Sequence, residues 1–462
     1  MRDSKAAGGR KKKNEFMQDL TQGPVMQQLV QLSMPLLLSG FLQALYVIVD
    51  MIIIGNVMGG EGLSAVSVAG QVMTLLTSFS TGICTGGSVV ISQSVGAQKI
   101  RQQREQIGTM FALAIAFSAV LFLIVGVFFA KAILKALQTP DEAMRSALIY
   151  LRISCCGLFF MFGYNMLSAI LRGMGNTKFA LYMVIISVGM NVVLDLVFVA
   201  VFSMGTAGVA LATIISQGVS MAAMFIYLRA GNKIAMPGAR QIRIVPSIAK
   251  DVLRIGLPSA AQAFAVFFSM LVVSRFVNGF GLVASSAYGI GMKIDNLSTL
   301  PRQAVATAGA TMVGQNMGAK KKDRMKLTVR DTALISLGVC LVIAVLVWIF
   351  APWLARIFVQ DEEIIEEAVN YLRIACISYP ITGLMGAFNC LTIGIGFTLF
   401  TFSISFLDSC IVRISLCYGL AFVRGMGLTG IYWGIAFAPA VAAFIGFCYF
   451  RFGKWGRRAG VE

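Results

Sequence analysis

The stretch MNVVLDLVFV, residues 190–199, sets Asn191 and Asp195 four positions apart inside an aliphatic run, so both stand on one face of a helix. A carboxylate in such a run needs a partner or an ion. Asp50 ends a second apolar run, FLQALYVIV, with Gln43 seven positions before it and Tyr46 four before it on the same face. Thr213 lies in a third, ALATIISQ. Two carboxylates, one amide and one hydroxyl make an all-oxygen set, which suits a hard cation such as Na⁺. Two adjoining carboxylates also repel, and one would then hold a proton near neutral pH. Na⁺ and H⁺ both remain open as the ion handled here. The alternative is that each acid is satisfied by neighbouring hydroxyls or backbone and does nothing further.

A second cluster lies in GIGMKIDNLSTLPRQ, residues 289–303. Lys293 and Asp295 are two apart and do not face each other, whereas Asp295 and Arg302 are seven apart and do. They make a structural ion pair or serve a cleft or a gate. Pro301 should kink or locally unwind this helix. Asp408, with Ser405 and Ser409 around it, and Arg413 are the remaining charges inside apolar runs.

What surrounds these residues follows from composition. The chain has 462 residues, 58% hydrophobic and 13% charged, with mean hydropathy +0.82. That charged share is about half of a soluble domain's. Twelve apolar runs are long enough to span a bilayer, near 30–55, 65–93, 108–130, 148–171, 179–203, 207–228, 252–277, 282–316, 331–350, 369–391, 398–422 and 428–450. None alternates strictly, so they are helices rather than barrel strands. The runs 65–93 and 282–316 are long and should tilt, bend or protrude.

The net charge of +18 is placed for topology, not for nucleic acid. RKKK at 10–13, Lys99, Arg101, Arg104, Arg229, Lys233, Arg240, Arg243, KKKDR at 320–324, and Arg451, Lys454, Arg457 and Arg458 fall on one face of a twelve-span chain. The other face carries the acidic loop DEEIIEE, 361–367. By the positive-inside pattern both termini are cytoplasmic in a multi-pass cell-membrane protein, with some basic side chains on anionic lipid. The first thirty residues are basic and polar, so no cleavable leader is expected.

The two halves repeat at a shift of about 222 residues. LSMPLLLSGFLQ (32–43) echoes IGLPSAAQAFAV (255–266), ISQSVGAQK (91–99) echoes VGQNMGAKK (313–321), and YLRISC (150–155) echoes YLRIAC (371–376). LRGMG (171–175) and SMGTAGVA (203–210) find TIGIG (392–396) and RGMGLTGIYWG (424–434). Six spans per half make the repeats parallel. The expected organisation is a basic N-terminal segment 1–29, an N lobe 30–228, a linker 229–251, a C lobe 252–450 and a tail 451–462. The expected fold is an all-α integral membrane protein: twelve transmembrane helices in two parallel six-helix repeats around a central cleft. The positions echoing Asp50 and Asp195 fall near Val273 and Ser274 and near Leu416 and Cys417, so a cation site would belong to the first half alone.

Catalysis has little to work with. The chain has no histidine, no GxxxxGK[ST], and nine cysteines without metal-ligand spacing. An enzyme is not expected, nor a cofactor beyond the coupling ion. Thirty-three phenylalanines and twenty-five methionines could line a pliable apolar pocket.

The repeats, QSVGA and QNMGA, LRGMGNTK, and NVVLDLVFV followed by MGTAGVALAT resemble the multidrug and toxic compound extrusion (MATE) family, of bacterial type, from about residue 20 to 450. The resemblance implies a secondary antiporter with two lobes forming a V-shaped cleft, which expels amphipathic or cationic small molecules in exchange for Na⁺ or H⁺. It places a cation site on Asp50, Asn191, Asp195 and Thr213, a bending proline on Pro35, and cleft-lining polar residues on Gln43, Tyr46 and Asn165, with Asp295 as the candidate of the second lobe. The alternative is a lipid-linked saccharide flippase or a dedicated metabolite exporter, for which only Lys293, Arg302 and Arg413 would supply cationic side chains. A monomer is expected.

Overall fold

The structure, a computed structural model, describes residues 18–230 and 236–461; the basic run 10–13 and Lys233 lie outside the described residues. Among those described, the chain forms helices and no strand. Apolar surroundings leave the backbone no partner but itself, and a helix satisfies it within each segment. In chain order the helices are α1 (Val25–Gly96), α2 (Ile100–Leu121), α3 (Ala130–Ala136), α4 (Asp141–Cys156), α5 (Leu158–Gly173), α6 (Thr177–Asp195), α7 (Gly205–Ala230) and α8 (Pro246–Asn278). There follow α9 (Leu282–Gly318), α10 (Lys322–Arg356), α11 (Glu362–Ala375), α12 (Ser378–Gly394), α13 (Thr398–Phe406), α14 (Ile414–Tyr418), α15 (Gly427–Phe452) and α16 (Trp455–Arg458).

Among the described residues eight helical segments are long and apolar enough to cross a membrane, ten when each of two bent helix pairs counts as one span. The remaining two follow from length and charge. At 1.5 Å per residue the 72 residues of α1 would run about 108 Å, over three hydrocarbon thicknesses. The helix is broken at Gly59, whose φ of 63° and ψ of −147° suit a residue without Cβ, and so counts as two spans. Helix α9 is 37 residues long but carries Lys293, Asp295 and Arg302, which lower its apolarity. With these, the described residues make an all-α, multi-pass membrane protein of twelve spans in two repeats. The bent pairs are repeat partners: α4–α5 turns by 51° and α11–α12 by 42°, each close after its YLRI motif.

The chain divides into two compact units. Among the described residues, unit 1 holds 18–19, 38–230 and 236–256, and unit 2 holds 20–37 and 257–461. Residues 30–37, drawn from sequence into the first lobe, therefore pack with unit 2, and α1 passes from one unit to the other three residues after Pro35. Apolar burial accounts for this: Leu20, Val25, Leu29 and Leu32 form one buried cluster with Val305, Ala308 and Met312 of α9. Hydrogen bonds fasten the strap. Leu20 N–H donates to Gln315 Oε1 (3.1 Å). The Arg324 guanidinium donates to the carbonyls of Leu20 (3.0 Å), Gln22 (2.9 Å) and Gly23 (2.6 Å) and to Gln28 Oε1 (2.7 Å).

Both prolines singled out from sequence, Pro35 and Pro301, sit in continuous helix. No residue around Pro301 is unwound: a proline removes one backbone donor, and the rest of the ladder carries α9 through. Departures from α pitch occur elsewhere. Wider π turns follow α2 (Phe122–Phe129), α6 (Leu196–Val201), α13 (Leu407–Arg413) and α14 (Gly419–Val423). Those at 196–201 and 419–423 occupy matching places in the two repeats.

Candidate functional site

The acids of the first half meet inside unit 1. Helix α1 delivers Asp50, α6 delivers Asn191 and Asp195, and α7 delivers Thr213. All three of Asp50, Asn191 and Asp195 are buried, at 7%, 2% and 0% exposure. The carboxyls of Asp50 and Asp195 lie within hydrogen-bonding reach of each other. Asn191 donates through Nδ2 to Thr213 Oγ1 (3.4 Å), and Thr213 donates to the Val209 carbonyl (3.1 Å). Asp195 is the last residue before the π turn 196–201, a feature that often marks a functional position. An apolar wall of Ile54, Val66, Val199 and Val209, with Tyr150 and Met58 against it, is built from the same helices.

The acceptors of this group outnumber its donors. Asp50 Oδ1, both Asp195 oxygens and Asn191 Oδ1 are buried with no hydrogen-bond donor among the described residues. An unpaired buried carboxylate is costly, by several kcal/mol, and a cation or a proton removes that cost. The oxygen set offers what such an ion requires.

The other sequence candidates of the first half divide. Tyr46 is electrostatically coupled to Asp50 and Asp195, and to Tyr150 and Tyr164. Gln43, one turn earlier on α1, is exposed. Asn165, on α5, is half-buried and donates to Ser80 Oγ (3.4 Å).

In unit 2 Asp295 is held differently from the ion pair weighed in the sequence. Tyr371 of α11 donates to its Oδ2 (2.5 Å) and Tyr379 of α12 to its Oδ1. Arg302 acts on it only through its field. These tyrosines were missed from sequence, although one signal pointed to them: Tyr371 opens the YLRI motif and is the repeat partner of Tyr150. Asp408 takes Arg413 rather than the flanking serines, with Nη2 3.4 Å from Oδ2. Lys293 lies 5.4 Å from the Phe358 ring centroid, a cation–π contact.

The MatE family pattern matches residues 35–197 and again 258–419, one match per repeat. The probable multidrug resistance protein YpnP of Bacillus subtilis (strain 168) is 30% identical over 437 residues, covering 95% of this chain and 97% of that one. Multidrug export protein MepA of Staphylococcus aureus (strain MSSA476) is 22% identical over 438 residues, 93% and 94% of the two chains. Among solved structures, an outward-facing multidrug resistance MATE family transporter of the MOP superfamily superimposes with a TM-score of 0.89 at 22% identity, covering 96% of this chain and 98% of that one. A MOP superfamily transporter from Pyrococcus furiosus Vc1, described as having a binding pocket of reverse polarity, gives the same values.

Proposed function

Because this chain belongs to the MATE family of multi-pass membrane transporters, we propose that it is a secondary active antiporter, exporting drugs and organic cations in exchange for Na⁺ or H⁺ by alternating access. The coupling ion binds in unit 1, at Asp50, Asn191, Asp195 and Thr213. One observation carries this reading: two neighbouring buried carboxyls and an amide oxygen find no donor among the described residues. A cation relieves the repulsion between the acids and supplies the missing partner. Once the acids are neutralised they no longer attract a positively charged drug, so ion binding and drug release are linked. Clustered basic residues on the face that bears both termini support a cytoplasmic location for those termini.

The flippase alternative is supported less. Arg302 and Arg413 of unit 2 line a cavity of about 120 Å³, well below the roughly 300–1,000 Å³ of ordinary organic-ligand sites, and Lys293 lies against Phe358.

Efflux of a fluorescent organic cation from proteoliposomes, with a Na⁺ gradient or a pH gradient imposed separately, tests the proposal. One gradient should drive efflux by the natural protein and neither should drive it for Asp195→Asn at equal incorporation. Equal efflux without any cation gradient, or undiminished efflux by the variant, overturns it.

A further inference from the structure

Hydrogen-bond donors are left over in unit 2. Its cavity of about 120 Å³ is lined by one acid, Asp295, and two guanidiniums, Arg302 of α9 and Arg413 at the end of the 407–413 π turn. Asp295 is occupied at both oxygens by Tyr371 and Tyr379. Among the described residues no carboxylate or other acceptor holds Arg302 by an ion pair or hydrogen bond. Arg413 gives one nitrogen to Asp408 at 3.4 Å, while its Nε is buried without an acceptor. The Tyr288 hydroxyl, on the same wall, donates to no protein acceptor among the described residues. Through their fields Asp295 attracts Arg302 and Arg413 repels it.

Asp295 and Asp408 balance the two charges, but neither acid takes up the remaining guanidinium N–H groups, and a buried donor without an acceptor is costly. Water can accept some of these hydrogen bonds, but an anion accepts them more strongly because its charge assists each one. A cation is disfavoured by the same two arginines. A cavity of about 120 Å³ accommodates an inorganic anion together with a few waters.

We propose that the unit 2 cavity, between Arg302 and Arg413, binds a small monovalent inorganic anion of the chloride class. The anion accepts from both guanidiniums and from Tyr288, and ties α9 to the span 398–423. This site is separate from the acids of unit 1 and does not depend on their role.

Thermal unfolding of the purified full chain tests it, with sodium chloride or bromide titrated against sodium gluconate at constant Na⁺ and ionic strength. The midpoint should rise by several degrees and saturate with halide, because a ligand that binds only the folded state stabilises it. Arg302→Gln should abolish the rise, Arg302→Lys should weaken it, and Asp195→Asn should retain it. In bromide-soaked crystals of the natural protein an anomalous peak should lie between Arg302 and Arg413, a readout independent of how the variants fold. No saturable halide effect, an unchanged effect in Arg302→Gln, or bromide bound only elsewhere would overturn the proposal.

Discussion

Tyr150 and Tyr371 are one residue of a duplicated motif, and each stands beside carboxylates. In unit 1 Tyr150 is electrostatically coupled to Asp50 and Asp195. In unit 2 Tyr371 donates directly to Asp295. What differs is the number of donors. Asp50 and Asp195 leave three buried oxygens without one, whereas Asp295 has a tyrosine on each oxygen. Duplication preserved the scaffold and reassigned its chemistry. An acid short of donors suits an ion that comes and goes; an acid saturated by side chains is an anchor between helices.

Four experiments would break or sharpen this contrast. The largest effect is expected for the acid pair themselves: Asp195→Asn reduces cation-driven efflux to background, whereas Asp295→Asn keeps its dependence on the cation gradient and loses thermal stability. The reverse outcome, in paired proteoliposome and melting measurements, would exchange the roles assigned to the two units. Next, Tyr371→Phe removes one of the two donors to Asp295. A hydrogen bond to a charged group is worth about 1.5–3 kcal/mol, and denaturation of the purified variant should show a loss of that size. Gly291→Ala tests the packing behind the anchor, since a Cβ there would lie 2.1 and 2.2 Å from two ring carbons of the fully buried Tyr371. Overpacking of this kind costs about 1–3 kcal/mol, while Gly289→Ala, with nothing within 4 Å of its Cβ, should be neutral or slightly stabilising. Equal melting temperatures for the two alanine variants would show that the Tyr371 ring yields. The smallest effect is expected for Thr213→Ala, which removes one hydroxyl from the oxygen set and keeps both acids. About 1 kcal/mol, or roughly a fivefold higher cation concentration for half-maximal efflux, is the expected cost.

Much of this architecture is legible in the sequence because hydrocarbon imposes strict rules. Runs of about 20 apolar residues count spans, and the echo between YLRISC and YLRIAC sets the register of the repeats. The i, i+4 spacing of Asn191 and Asp195 puts them on one helix face before any coordinates exist. The partners are less legible, since they depend on contacts between spans far apart in the chain. Nothing in DNLSTLPRQ says that Asp295 meets tyrosines 76 and 84 residues later. Nor does LVFVAV announce a π turn after Asp195, because its aliphatic residues suit either pitch. The sequence also marks Pro301 as a kink or a local unwinding, and α9 runs through it with no residue unwound.

The strap of residues 20–37 bears on how the molecule can be taken apart. A split between the two sequence repeats, with the halves expressed as separate fragments, would deprive the second of Leu20, Leu29 and Leu32, and leave Arg324 with four acceptors fewer. Complementation should succeed far better when the second fragment is supplied with a peptide covering residues 18–37 than with the repeat alone. The gene duplication is thus visible in the amino-acid order, yet the pieces that fold together are interleaved: the opening turns of the first copy complete the wall of the second.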